Sequence, residues 1–129
     1  ITDQFLRFWF RFICPYQSLI ESGQLKLLRA NINTHYDQFS GKTLERYFQT
    51  LFMETGNYTQ VGNWWDRKGE NEIDVVAINE FTHEGIVAEV KRNEHKISLR
   101  SLEDKLNNLP KQQFGKYQFQ LKSLSLNDM

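Results

Sequence analysis

Two acidic residues lie inside segments that otherwise have the composition of buried β-strands. Asp74 interrupts the apolar run 72–78, and Glu89 interrupts the run 86–92. Both runs are rich in the β-branched residues typical of strands. An ionised carboxylate in an apolar strand is costly unless it is paired with a cation or binds a metal ion. These two residues are therefore the first candidates for chemistry.

A lysine completes a constellation with the two carboxylates. Glu89 and Lys91 are two residues apart, so their side chains leave the same face of a strand. If 72–78 pairs with 86–92 as an antiparallel hairpin, Asp74 comes beside both of them. Such a cleft suits Mg²⁺, which prefers carboxylate and water oxygens, and the lysine can orient the attacking water in phosphodiester hydrolysis. A buried salt bridge between neighbouring strands is the alternative interpretation.

A helix in front of the strands supplies a third acidic residue. The spacing of apolar residues predicts a helix over 41–54, with Ser40 as its N-cap and its end at Gly56. Glu45 lies about 20° of helical rotation from Phe52, at the flank of the apolar stripe, so it borders the core. The alternative for this residue is an ordinary glutamate on a helix surface.

The remaining segments predict an α/β fold with a mixed sheet. From residue 41 onward the element order is α-β-β-β-α-β, which is typical of an α/β layer fold. The elements after the first helix are strands over 59–66, 72–78 and 86–92, a helix over 97–109 capped by Ser98, and a strand that alternates from Tyr117 to Leu121.

The first part of the chain predicts helices that need partners. Residues 3–13 are expected to form a helix capped by Asp3 and apolar nearly all round, and 16–22 a second short helix. The first helix must pack against sequence beyond this chain or against a second copy, so a homo-oligomer is one interpretation. We divide the chain into a helical connector, 1–33, and a sheet-bearing domain, 34–129. Because it does not begin with methionine, we expect it to be a fragment.

Composition limits the classes of function. The 129 residues include 16 Lys and Arg and 16 Asp and Glu. The resulting zero net charge argues against a nucleic-acid binder that depends on excess positive charge. The single cysteine, Cys14, excludes a disulfide framework within one chain and favours a reducing, cytoplasmic compartment. We expect it to be a packing residue. No apolar run approaches the roughly 20 residues needed to cross a bilayer.

The acidic motif resembles that of a nuclease superfamily. Asp74, fourteen intervening residues and then Glu89-Val90-Lys91 resemble the D-x(n)-E-x-K signature of the restriction-endonuclease-like, PD-(D/E)xK-type nucleases. The helix with Glu45 is similar to their first helix, which often supplies another acidic residue, and the element order matches their common core. The resemblance implies DNA as substrate and Mg²⁺ or Mn²⁺ held by Asp74 and Glu89. Glu45 would assist directly or through water, and Lys91 would position the attacking water.

A narrower resemblance covers most of the chain. It is to the C-terminal region of archaeal and bacterial AAA/STAND-type ATPases, in which a P-loop ATPase and a winged-helix segment precede a nuclease-like domain. The resemblance implies that those domains of the parent chain are the partners of the connector. This chain has no G-x-x-x-x-G-K-[ST] loop, so we expect no ATP site in it. The similar segments are 3–15, 41–48, 61–66, 72–76 and 89–91.

Three functions remain open at this point. The leading one is Mg²⁺-dependent DNA hydrolysis by the C-terminal nuclease-like domain of an ATPase. The second is a catalytically inactive nuclease fold that serves as an interaction or regulatory module. The third, a nucleic-acid-binding module without chemistry, is disfavoured by the neutral charge. Glu72 shares a face with Asp74 only at a strand end and is a minor candidate for the site. Trp64 and Trp65 are adjacent on a strand, so at least one is expected in the core.

Overall fold

A computed structural model describes residues 3–129 and confirms the α/β class, with N-terminal helices followed by a four-stranded mixed sheet. The described residues form two compact units, 3–43 and 44–129, and their boundary falls inside the longest helix. The division that we predict from the sequence, after residue 33, also falls inside this helix. The elements are α1 (Gln4–Phe8), α2 (Gln17–Glu21), α3 (Leu25–Glu54), β1 (Gln60–Trp65), β2 (Glu72–Asn79), β3 (Glu84–Val90), α4 (Leu99–Asn107), α5 (Lys111–Phe114) and β4 (Gln118–Leu124).

The first unit begins with the cap predicted at Asp3. Its carboxylate accepts a hydrogen bond from the Leu6 N–H at 2.9 Å and so satisfies a donor in the first turn of α1. The prediction of one helix over 3–13 is wrong in detail. The α-helical turns end at Phe8, and the chain continues as a π-helical turn, Trp9–Ile13, and a 3₁₀ turn that contains Pro15.

Aromatic rings form the core of this unit. Phe12 is fully buried, and its ring centroid lies 5.1 Å from that of Phe8 and 5.3 Å from that of Phe39. Phe5 and Phe10 are more than half exposed, which leaves apolar surface on the outside of the unit. Cys14 is also exposed, so its predicted role as a packing residue is wrong.

A single helix, α3, includes both the end of the predicted helical connector, 1–33, and the shorter helix that the sequence predicts over 41–54. Ser40 lies inside this helix rather than at its start, and its hydroxyl donates to the Asp37 carbonyl oxygen at 3.2 Å. The predicted end is correct, since α3 stops at Glu54 and Gly56 follows at φ +72°. None of the helices within residues 3–129, α3 included, is both long and apolar enough to span a membrane.

The sheet of the second unit has helices on both faces. The strand order is β1-β2-β3-β4, in which the first two pairings are antiparallel and β3 pairs with β4 in parallel. The connection from β3 to β4 passes through α4 and α5, as parallel neighbours require. On one face, here called the α3 face, Leu44 and Phe48 pack on Val75 and Ala88. On the opposite, α4 face, the core includes Ile73, Val76, Val87 and Leu102.

A β-bulge interrupts strict alternation in β2. Gly62 pairs with Val76 and Trp64 pairs with Ile73, so Asn63 alone lies opposite two residues of β2, Asp74 and Val75. The extra residue explains why Ile73 and Val75, two apart, pack on different faces. Bulges re-aim side chains, and this one falls at the acidic residue of the strand.

The tight packing of Gly85 gives a test of the sheet. A Cβ atom there would lie 2.6 Å from the Phe119 ring and 2.9 Å from the Ala77 carbonyl oxygen. We expect Gly85→Ala to lower the free energy of unfolding by about 1–3 kcal/mol through overpacking. Gly62→Ala is the matched control, since nothing lies within 4 Å of its Cβ position. Urea unfolding measures both variants, and equal midpoints would contradict this packing.

Candidate metal and catalytic site

Three carboxylates converge at the start of β2. Glu45 of α3 and Glu72 and Asp74 of β2 each offer an oxygen atom, and these three oxygens lie within 4.8 Å of one another. Glu45 and Asp74 are half-buried, and Glu72 is exposed. Together they form what we call the acidic group.

Asp74 is fixed by bonds to both neighbouring elements. Its Oδ2 atom accepts a hydrogen bond from the Val90 N–H of β3 at 2.8 Å. Its backbone carbonyl oxygen accepts one from Nε2 of Gln49, in α3, at 2.9 Å. Gln49 lies one helical turn after Glu45, so both side chains project from the same face of α3. The backbone contact that holds β2 therefore also brings Glu45 to Asp74.

Burial raises the pKa of Asp74 above its ordinary value, because the charged form loses water. The hydrogen bond from Val90 opposes this shift. The negative charge of Glu89 raises the pKa further, the positive charge of Lys91 lowers it, and Glu72 adds a smaller upward contribution. Glu89 and Lys91 are thus close enough to Asp74 to act on its charge.

The carboxylate of Glu89, in β3, lies between two lysines, Lys91 and Lys105. Its Oε1 atom is 3.8 Å from Nζ of Lys91, and its Oε2 atom is 3.6 Å from Nζ of Lys105, which projects from α4. The Oε2 atom is buried and accepts no hydrogen bond from any residue that the structure describes. Val87, two residues earlier, packs on the α4 face, so strand alternation directs Glu89 toward that face.

The four residues predicted from the sequence therefore lie in two adjoining sets. Glu45 and Asp74 meet in the acidic group. Glu89 lies outside this group and pairs with Lys91. The pairing of β2 with β3 is antiparallel, as expected, and runs from Val75 opposite Ala88 to Asn79 opposite Glu84. This register leaves Asp74 and Glu89 as the next residues along the two strands.

The sequence pattern ranks Glu72 too low and does not identify Lys105 as part of the site. Glu72 shares a face with Asp74 across the start of β2, which strand alternation alone predicts, but only at an uncertain strand end. Lys105 carries a signal too. It lies three residues after Leu102, whose side chain is fully buried, and so borders the apolar stripe of α4.

The two tryptophans behave as adjacent strand residues should. Trp64 packs against the core on the α4 face, and the side chain of Trp65 is 61% exposed. The expectation that at least one of them lies in the core is confirmed.

The donor set fits a hard divalent cation. Carboxylate oxygens are the protein ligands of Mg²⁺ and Ca²⁺, and ligands on opposite sides of a Mg²⁺ ion are about 4 Å apart. Three oxygens within 4.8 Å of one another need only small side-chain adjustments to share one ion. The half-buried site at a strand end leaves room for water ligands on its exposed side, where Glu72 lies.

Comparisons with known proteins assign a family but no activity. The profile of the DUF234 family, described as archaeal and bacterial proteins of unknown function, matches residues 9–117. Uncharacterized protein MJECL04 of Methanocaldococcus jannaschii is 33% identical in an alignment of 98 residues that covers 70% of this chain and 21% of that protein. The chain thus spans about a fifth of the length of this relative. No solved structure gives a significant match.

The raised pKa of Asp74 predicts a pH dependence of stability. Because the native carboxyl binds its proton more tightly than the unfolded one, stability falls as pH rises from about 4 through the raised pKa. Asp74→Asn keeps an acceptor for Val90 and removes this loss. Without divalent ions, the variant should exceed the wild-type free energy of unfolding at pH 7 by about 1.4 kcal/mol for each unit of pKa shift. The gap should close toward pH 4.

Denaturant unfolding across this pH range measures the gap. Asp104→Asn, at an exposed position of α4, is the matched control and should follow the wild-type profile. Parallel profiles for the wild type and Asp74→Asn would contradict the assignment of a buried, unfavourably ionised Asp74.

Proposed function

The chain belongs to the DUF234 family, and we propose that its sheet-bearing domain hydrolyses DNA phosphodiesters with Mg²⁺ or Mn²⁺. One observation carries this proposal. Glu45, Glu72 and Asp74 come from two different elements, far apart in sequence, and bring three carboxylate oxygens within 4.8 Å of one another. A group of this kind is electrostatically unfavourable unless a cation offsets its charge.

The proposed roles follow from position and charge. Asp74 and Glu89 are the proposed metal ligands, Glu45 assists directly or through water, and Glu72 joins the same group. The metal ion would polarise the phosphate and lower the pKa of a bound water. Lys91 lies near enough to Asp74 to lower the pKa of that carboxyl. The same positive charge suits it to orient the attacking water and to stabilise the negative charge that develops on the phosphate.

The setting in a longer protein is part of the proposal. The matched relative is about five times as long as the aligned segment. We propose that this chain is the C-terminal part of a cytoplasmic ATPase whose P-loop and winged-helix domains pack on the first unit. In support, Phe5 and Phe10 of that unit expose more than half of their side chains. The ring of Phe5 also lies 6.4 Å from that of Trp9, and adjoining exposed apolar residues are typical of interaction sites.

The catalytic part of the proposal predicts metal-dependent cleavage of DNA. We expect the chain to nick or cut plasmid DNA with Mg²⁺ or Mn²⁺ and not with EDTA. Lys91→Ala should lower the rate by about 10²–10³-fold, the usual loss when a group that stabilises charge in the transition state is removed. Lys122→Ala, an exposed lysine of β4, is the control and should keep the wild-type rate. Binding of DNA without cleavage under every metal would contradict the catalytic role.

A second candidate is the inactive nuclease fold that serves as a regulatory or interaction module of the ATPase. It is favoured by the state of Glu89, which pairs with Lys91 and Lys105 as a structural ion pair would. In this alternative the acidic group binds no ion under physiological conditions, and the exposed aromatic residues of the first unit supply the function.

Calorimetry with Mn²⁺ separates the two candidates. The nuclease proposal predicts heat of binding for the wild-type chain and its loss in Asp74→Asn, because that variant removes one charge from the acidic group. Glu80→Gln removes a carboxylate directly after β2, at the end of the strand away from the acidic group, and is the matched control. Absence of any binding that depends on Asp74 would favour the inactive module.

A further inference from the structure

The environment of Glu89 raises a question that the proposed function leaves open. The resemblance assigns this residue to the metal, yet it stands outside the acidic group and its side chain is only 12% exposed. The Glu89 side chain must leave its present contacts before it can reach an ion at Asp74. The contacts of its two oxygen atoms identify what holds it.

The restraint on Oε2 comes from Lys105. Its Nζ lies 3.6 Å from that oxygen, which is within ion-pair range but beyond hydrogen-bond distance. Oε2 accepts no hydrogen bond from the described residues, although it is buried. A buried oxygen without a hydrogen bond is poorly satisfied. The ion pair with Lys105 is thus the main interaction that offsets the loss of water at this atom.

The two sides of Glu89 present opposite charges. On the α4 side lies the Lys105 ammonium group. On the other side lies Asp74, whose Oδ2 atom accepts a hydrogen bond at 2.8 Å from the N–H of Val90, the residue after Glu89. Without a cation, the repulsion from Asp74 and the attraction of Lys105 both favour the observed position. A divalent cation in the acidic group would reverse the balance by attracting Glu89 toward Asp74.

We infer that Lys105 is a positioning residue that competes with the metal ion for Glu89. The ion pair with Lys105 holds Glu89 on the α4 side in the metal-free chain, and Glu89 joins Glu45, Glu72 and Asp74 when an ion binds. Binding must therefore break the Lys105–Glu89 pair, which weakens the affinity for the ion. This inference rests on the proposed function, because it requires that the acidic group bind a metal.

The test measures Mn²⁺ affinity by calorimetry on the 129-residue chain. Lys105→Met keeps the apolar stem of the side chain and removes its charge, so we expect Mn²⁺ to bind about fivefold more tightly. Lys105→Arg keeps the positive charge and should keep the wild-type affinity for Mn²⁺. Lys111→Met, at an exposed position of α5, should leave the affinity unchanged.

A second background separates competition for Glu89 from simple removal of a positive charge. In Glu89→Gln, the additional change Lys105→Met should no longer tighten binding, because no carboxylate remains to be released. An equal gain in both backgrounds would show a general charge effect and overturn the inference. Thermal unfolding checks that each variant remains folded.

The outcomes also distinguish this inference from the proposed function. If the wild-type chain binds Mn²⁺ through Asp74 and Lys105→Met binds it with equal or lower affinity, the inference is overturned and the proposed function stands. If neither chain binds Mn²⁺, both are overturned.

Discussion

The hydrogen bond from the Val90 N–H to Oδ2 of Asp74, 2.8 Å long, joins β3 to β2 where their backbone pairing begins. A carboxylate buried between strands must find a donor to offset the loss of water. The same residue accepts a hydrogen bond from Gln49 through its backbone. Three elements of the second unit thus meet at one residue, and the contact with α3 also brings Glu45 beside Asp74.

The bulge in β2 explains how an acidic residue is accommodated in an apolar strand. With two residues of β2 opposite Asn63, the core positions before and after the bulge serve different faces of the sheet. Ile73 can therefore pack on the α4 face and Val75 on the α3 face. Asp74 lies between them without displacing either from the core. Both apolar layers continue past the bulge, and the carboxylate lies beside Glu45 of α3.

The pattern of residues predicts those parts of the fold and of the site that depend on local spacing. The β2–β3 hairpin, the caps at Asp3 and Ser98 and the position of Glu45 at the border of the core all follow from local spacing, and the structure contains them. The length of α3 does not follow. Residues 24–34 are weakly patterned and fit either a helix or a connector, and Ser40 has the residue type of a cap.

Other features depend on interactions that a single segment cannot encode. The bulge is a property of the pairing between β1 and β2. Alternation along β2 alone therefore predicts the wrong face of the sheet for the residues on one side of the bulge. The partner of Glu89 depends on how α4 crosses the sheet, which brings Lys105 to β3 from sixteen residues away in the sequence. Sequence spacing predicts Lys91 as its neighbour, whereas the position of Lys105 at the border of the apolar stripe of α4 does not indicate which residue it pairs with.

The decisive measurement is the anomalous diffraction of Mn²⁺ in crystals of this chain. A metal-dependent nuclease site predicts a single strong peak at the acidic group, in direct coordination with oxygen atoms of Asp74 and Glu89, with the Glu89 carboxylate turned away from Lys105. A well-ordered Glu89 still paired with Lys105, and no peak at the acidic group at saturating Mn²⁺, would contradict it.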